Sequence, residues 1–244
     1  MPRGAAYRAA MTKLNILVTG SSRGIGRAIA AALDGHNVAG HSSRGGDGLI
    51  AADLDSPGAA EALWRSALER LSGRIDVLVN NAGIFEAAPV DLPSADWTAR
   101  WERTMRVNLT ASAELCRLAV LHFRDGGGGR IVNVASRAAH RGDSPAHWHY
   151  AASKAGMVAM TRTIARAYAA DDILAFAVSP GFTASEMIDD YMASRGGQKI
   201  VADIPLGRVA SAQEVAETVR WLAVDAPASA TGTVIDVNGA SYVR

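Results

Sequence analysis

The 244-residue chain has almost no cysteine, almost no net charge and no long apolar run. Each shortage removes a class of function. Its one cysteine, Cys116, has no partner for an internal disulfide. Lying in the apolar-periodic stretch AELCRLAVLHF, it reads as a core residue of a protein from a reducing, cytoplasmic compartment. Twenty-five lysines and arginines against 24 acids leave a formal charge of +1, so no electrostatic case exists for nucleic acid or an acidic membrane as partner. No apolar run approaches the roughly 20 residues that span a bilayer. The first dozen residues, MPRGAAYRAAMT, are basic and acid-free but lack a signal-peptide core. They are expected to form a disordered tail, or to precede a true start at Met11, which leaves 13–244 as one domain.

What the chain does contain is alternation. Short apolar runs expected to be strands cover Leu14–Thr19, Val38–His41, Leu49–Ala52, Val77–Asn80, Arg130–Ala135, Leu174–Ser179 and Val234–Val237. Helical patterns fall between or after them, over Gly24–Leu33, Ala59–Leu71, Trp97–Arg124, Tyr150–Ala169, Ser185–Arg195 and Ala212–Val224. This is the pattern of an α/β fold, a single doubly wound parallel sheet of Rossmann type with helices on both faces. The glycine run Gly126–Gly129 stops a helix rather than linking domains. One connection is odd. Only Ser42–Gly48 (SSRGGDG) separates the second and third strands, whereas a parallel crossover usually needs about a dozen residues or more. The expectation is that this crossover has lost its helix, opening the adenosine side of any cofactor site.

Two local patterns carry chemistry. Leu14–Thr19 leads directly into Gly20-Ser21-Ser22-Arg23-Gly24-Ile25-Gly26 and then the helical RAIAAAL. Glycines between a strand and a helix let the backbone turn tightly and approach a pyrophosphate, which rests on the helix N-terminus. The second pattern is Tyr150 and Lys154 in HYAASKAG, four residues apart on one helix face, with Ser136 upstream. A neighbouring ammonium favours the phenolate and draws a tyrosine pKa of about 10 toward the working range. The serine hydroxyl could hold a carbonyl oxygen nearby.

Taken in order, these motifs resemble the short-chain dehydrogenase/reductase family, in particular its 3-oxoacyl-carrier-protein reductase-like group. The resemblance spans about Leu14 to Val237. Thr19 to Gly26 is similar to the family's TGxxxGIG turn, and Asn80-Asn81-Ala82-Gly83 to its NNAG element. Asn108, Ser136, Tyr150 and Lys154 match its four catalytic positions. Pro180-Gly181 and IPLGRVASAQEVAETVRWLA resemble its later segments. The resemblance implies hydride transfer between a nicotinamide cofactor and a small ketone or secondary alcohol. Tyr150 would exchange the proton, and Ser136 would donate to the substrate oxygen. Lys154 would lower the tyrosine pKa and bind the nicotinamide ribose, while the backbone of Asn108 would hold a water. It further implies cofactor contacts from Gly20, Ser22, Arg23, Gly24, Ile25, Gly26, Ser43, Arg44, Asp53, Leu54, Asn81, Ala82, Gly83, Tyr150, Lys154, Pro180, Gly181, Thr183 and Ser185.

An acid ending the second strand would favour NAD, but His41-Ser42-Ser43-Arg44 stands there instead. Arg23 and Arg44 together suit a 2′-phosphate, which places NADP ahead of NAD. Asp47, flanked by glycines, reads as a turn residue. The segment RAAHRGDSPAHWH, between Ser136 and Tyr150, should line the mouth of the site. Its Arg137, His140 and His147 suit a polar or anionic substrate, although surface solvation is the plainer role. His147-Trp148-His149 lacks a nearby acidic or cysteine partner, so no metal site is expected. Phe182–Gln198 is expected to cap the substrate. VNGASYVR departs from the family's usual acid-bearing C-terminal motif, while the long helices suggest a homotetramer or homodimer. Alternatives left open are an NAD-linked sugar or polyol dehydrogenase and a dinucleotide-sensing protein without chemistry.

Overall fold

The computed structural model describes residues 13–184 and 201–244. Its strands are β1 (Asn15–Val18), β2 (Asn37–Ser42), β3 (Ile50–Ala51), β4 (Val77–Asn80), β5 (Gly129–Val134), β6 (Ile173–Pro180) and β7 (Val234–Val237). All pair in parallel, in the order β3-β2-β1-β4-β5-β6-β7. The order reverses between β1 and β4, so their carboxyl ends open a crevice where doubly wound sheets take ligands.

Side chains alternate across the strands. Leu17, Leu78, Ile131 and Ala175 face one core, with Leu63 and Trp64 of α2 (Ala59–Arg70) and Leu115 and Phe123 of α4 (Ala111–Gly126). Ile16, Val18, Val79, Val132 and Phe176 face the other, covered by Ile29 of α1 (Gly24–Ala32) and by Val215 and Val219 of α7 (Ala212–Arg220). Cys116 is buried in the first core, as its periodicity implied, and burial pushes its thiol up to about 12. Helix α7 starts on a capping box. Ser211 Oγ accepts from Glu214 N at 3.1 Å, and Ser211 N donates to Glu214 Oε2 at 2.8 Å.

The structure changes two sequence expectations. The helix expected over Trp97–Arg124 is two, α3 (Ser94–Met105) and α4, joined by one π turn over Arg106–Thr110. A π turn keeps the apolar rhythm nearly intact while admitting an extra residue, so periodicity alone does not expose it. The helix containing Tyr150 begins earlier, as α6 (Trp148–Tyr168), and is preceded by the short α5 (Ala138–Arg141). The short crossover does lack a helix. Leu49 N donates to Gly46 O at 2.8 Å, and Asp47 (φ 50) and Gly48 (φ 76) form the tip of that tight turn. Asp47 is therefore a turn residue, as its glycine neighbours suggested. The helix expected over Ser185–Arg195 lies outside the described residues, as does most of the expected cap.

Candidate active site

Two motifs about sixty residues apart are knitted together by Thr19 and Asn81. Thr19 Oγ1 accepts from the backbone N–H groups of Asn81 and Ala82, both at 3.0 Å. Asn81 Nδ2 donates to the carbonyls of Thr19 at 3.1 Å and Gly20 at 3.0 Å. The glycine turn is correspondingly tight. A Cβ on Gly26 would lie 2.0 Å from Gly20 O, and one on Gly20 (φ +65) would lie 2.7 Å from Ala82 Cα. Helix α1 starts there with no side-chain cap and no acid in its first turn. Its leading N–H groups are thus left for an anion.

A cleft of about 540 Å³ runs from this turn across the carboxyl edge of the sheet. Its first stretch is walled by Gly20, Ser22, Arg23, Gly24, Ile25 and Gly26. Ser43 and Arg44 beyond β2, with Asp53 and Leu54 beyond β3, close the side left open by the missing helix. Asn81, Ala82 and Gly83 form the floor, while Pro180, Gly181 and Thr183 form the far rim. Ser136, Tyr150 and Lys154 line the same cleft. Ser185 lies outside the described residues. Asp47 is not among the lining residues, and Asp53 caps no helix, since α2 begins at Ala59 with Gly58 as its N-cap.

Asn108 sits in the π turn and does not line the cleft, but it organises what does. Its Oδ1 accepts from Ile84 N at 2.8 Å, and its Nδ2 donates to Ile84 O at 3.0 Å. The same Nδ2 lies 3.3 Å from Ser153 Oγ, which donates to Tyr150 O at 2.7 Å. One side chain therefore ties the loop after β4 to the turn of α6 that carries the tyrosine. The backbone carbonyl of Asn108 accepts from Ser112 Oγ at 3.2 Å.

Lys154 is 4% exposed, and its Nζ donates to Val134 O at 2.9 Å. A Cβ on Gly83 would press on Asn108 Oδ1 at 3.3 Å and touch that Nζ at 3.6 Å. Burial lowers the Lys154 pKa to about 8. Burial also pushes Tyr150 up to about 12, outweighing a hydrogen bond with Ser136 that acts downward. The expectation that the lysine draws the phenol toward neutrality is thus reversed. Nζ lies 5.8 Å from the ring centroid, and its charge does not offset desolvation.

A pH prediction follows. Tyr150 stays protonated, and so able to act as an acid, up to pH values near 12. Lys154 is cationic below about 8 and neutral above it. Turnover in this cleft that depends on the Lys154 charge should therefore be flat through neutrality and fall above pH 8, approaching tenfold per unit. A Lys154→Arg variant that keeps the same alkaline fall would show that another group titrates.

Sequence reasoning missed several cleft residues. Phe85 lines the cleft, stacks on His147 (centroids 3.9 Å apart, planes 5° apart) and meets Tyr150 edge-on at 4.8 Å. Arg103 of α3 also lines it, paired with Glu86 and with Asp55 at 3.2 Å. Its only sequence signal was a place on the polar face of an expected helix. The surface role expected for the loop before Tyr150 is corrected. Arg137 is buried over the Phe182 ring, 4.5 Å from its centroid, and His147 is buried beside Ser144, because aromatic neighbours cover them. His140 Nε2 lies 3.3 Å from Ser179 Oγ, and Trp148 is 54% exposed against the edge of Trp97.

A family model described as enoyl-(acyl carrier protein) reductase matches residues 20–240. A 3-oxoacyl-[acyl-carrier-protein] reductase from a Synechocystis species is 37% identical, covering 94% of this chain and 97% of the relative. The chain belongs to the short-chain dehydrogenase/reductase family. Family membership agrees with the seven-stranded parallel sheet and makes the protein an oxidoreductase acting on CH–OH or keto groups with a nicotinamide dinucleotide. Other relatives within the family include an acetoacetyl-CoA reductase from Rhizobium meliloti, 33% identical over 93% of this chain and 97% of that protein. A nodulation protein G from a Rhizobium species is 36% identical, with 94% and 97% covered. Among the described residues, no helix is long and apolar enough to cross a membrane.

Proposed function

We propose that the protein is an NADPH-dependent ketone reductase in which Tyr150 is the general acid. The observation that carries this reading is the convergence of Ser136, Tyr150 and Lys154 on the cleft that begins at the uncapped N-terminus of α1. The donor set fits a dinucleotide. Free N–H groups suit its pyrophosphate, Gly20 and Gly26 let the turn pack where any Cβ would strike Ala82 or the Gly20 carbonyl, and Arg23 and Arg44 line the same cleft. When bound, the dinucleotide supplies the hydride.

The rest falls to this chain. Ser136 donates a hydrogen bond to the substrate oxygen as negative charge develops there. Tyr150 gives that oxygen its proton, converting ketone to secondary alcohol. Lys154, held by Val134 O, keeps a positive charge beneath the resulting phenolate. Asn108 orients the tyrosine's turn through Ser153 and, as the family resemblance implies, holds a water on the proton path. Small ketones and 3-oxoacyl thioesters are the substrates to try first, since several relatives are named for the latter. The experiment is NADPH oxidation against such a panel, acetoacetyl-CoA included. Tight NADPH binding with no turnover of any carbonyl would instead identify a dinucleotide-sensing protein.

The choice of NADP over NAD is supported by Arg23, Ser43 and Arg44 lining the adenosine side while Asp47 is spent on a turn. A charged hydrogen bond contributes about 1.5–3 kcal/mol. Arg44→Ala should therefore raise KM for NADPH roughly 10- to 100-fold and leave KM for NADH within a few-fold. Equal losses for both cofactors in steady-state kinetics would count against a 2′-phosphate contact. Assembly as a homotetramer or homodimer and a cytoplasmic location belong to the same proposal, and sedimentation of the purified protein tests the first.

A further inference from the structure

His41 is the penultimate residue of β2, is 2% exposed and lines the cleft. Both ring nitrogens are engaged with backbone. Nδ1 lies 3.1 Å from Gly20 N, which can only donate, so Nδ1 is bare. Nε2 lies 2.8 Å from Ala52 O, which can only accept, so Nε2 carries the proton. The neutral Nε2–H tautomer alone satisfies both neighbours. The backbone of the same residue is tied to the glycine turn as well. Ser21 N donates to His41 O at 2.8 Å, and His41 N donates to Ser21 Oγ at 2.9 Å.

One residue thus bridges the glycine turn, the end of β2 and the segment leading to Asp53 and Leu54. These are the parts of the cleft that a crossover helix between β2 and β3 would otherwise brace. The stretch joining those strands contains no helix, and β3 is only two residues long. We propose that His41 is a positioning residue for dinucleotide binding, its neutral imidazole clamping the glycine turn to β3 so that protonation of the ring loosens the cofactor.

Doubly protonated, the ring would point an Nδ1–H at the N–H of Gly20, and the clamp would open at the turn that receives the pyrophosphate. Among the described residues the charged groups lining the cleft are Arg23 of the turn, Arg44 beyond β2, Asp53 beyond β3, Lys154 of α6 and Arg103 of α3, the last paired with Asp55. Neither ring nitrogen bonds to any of them. Burial holds the imidazole pKa below its ordinary value, against the smaller upward effect of the Ala52 bond. Opening therefore belongs to pH below about 6.5.

The inference rests on the dinucleotide reading of the cleft, and its test separates the two. NADPH affinity of the full chain is measured by calorimetry from about pH 5 to 8 for wild type, His41→Asn and His41→Leu. Asparagine keeps an acceptor beside Gly20 but does not titrate. Taking the ratio of wild-type to His41→Asn affinity cancels the titration of the cofactor's own phosphates. That ratio should be constant near neutrality and fall about tenfold for each pH unit below the imidazole pKa. His41→Leu should bind roughly tenfold more weakly at every pH, and if it does not fold the asparagine ratio still decides. In the unliganded wild type, nitrogen-15 spectra should show the Nε2–H tautomer at neutral pH. A flat ratio, a leucine variant that binds like wild type, or an Nδ1–H tautomer overturns this inference alone. Wild type that binds no dinucleotide at any pH overturns the cofactor reading and this inference with it.

Discussion

Tyr150→Phe is expected to lower kcat for ketone reduction by about a thousandfold, within the range of 10² to 10⁴ that a positioned acid contributes. The variant removes one oxygen and nothing else from the packing. Its ring still meets Phe85 edge-on, and the backbone carbonyl of residue 150 still accepts from Ser153. NADPH affinity should therefore stay within about threefold, since the loss falls on proton transfer rather than on binding. The unmodified phenol enters the reaction protonated, because burial holds its pKa at about 12. The alkaline fall in rate assigned to Lys154 should persist in whatever activity remains. Single-turnover kinetics with a saturating ketone check this directly. A loss below about fivefold would remove Tyr150 from the role of proton donor.

Gly26→Ala should damage both stability and cofactor binding. The added Cβ would lie 2.0 Å from the carbonyl oxygen of Gly20 and 2.5 Å from Asn81 Nδ2. The first of these is backbone, which cannot swing aside like the end of a long side chain. Relief requires α1 to move away from the strand end or the Thr19–Asn81 ties to break. Overpacking of this kind costs about 3 kcal/mol, at the upper end of the usual range. For a domain of this size that corresponds to a fall in Tm of roughly 6–12 °C. Affinity for NADPH should fall at least about tenfold, because the displaced N–H groups are those left for the pyrophosphate. Alanine at Gly35, where an added Cβ meets nothing within 4 Å, is the matched control. Similar Tm and affinity for the two alanine variants would refute the close-approach account.

Much of the fold could be read along the chain. Each apolar run became a strand within a residue or two, because burial on both faces of a parallel sheet demands an unbroken apolar segment. The missing crossover helix was visible too, since seven residues with three glycines are too few to form one. The break between α3 and α4 was not visible, because a single π turn barely alters the spacing of Val107, Ala111 and Leu115 that marks the buried face. Within the site, the glycine turn, Ser136, Tyr150 and Lys154 were found because their chemistry depends on local spacing. His41 was noticed only for not being an acid. Its actual partners are Gly20 and Ala52, which no local pattern connects to it.

The sequence by itself determined which chemical groups are available and how they lie along each element. A serine, a phenol and an amine accompany a glycine turn of the right shape, and no acid stands at the end of β2. Spacing along a strand or helix sets these relations, and that spacing belongs to the chain. The tertiary structure alone decided which groups meet and how they ionise. It joined Thr19 to Asn81, set Asn108 between Ile84 and Ser153, and gave the imidazole of His41 two backbone partners. It also lowered the lysine and raised the tyrosine, because desolvation depends on what surrounds a group in space rather than on its neighbours along the chain.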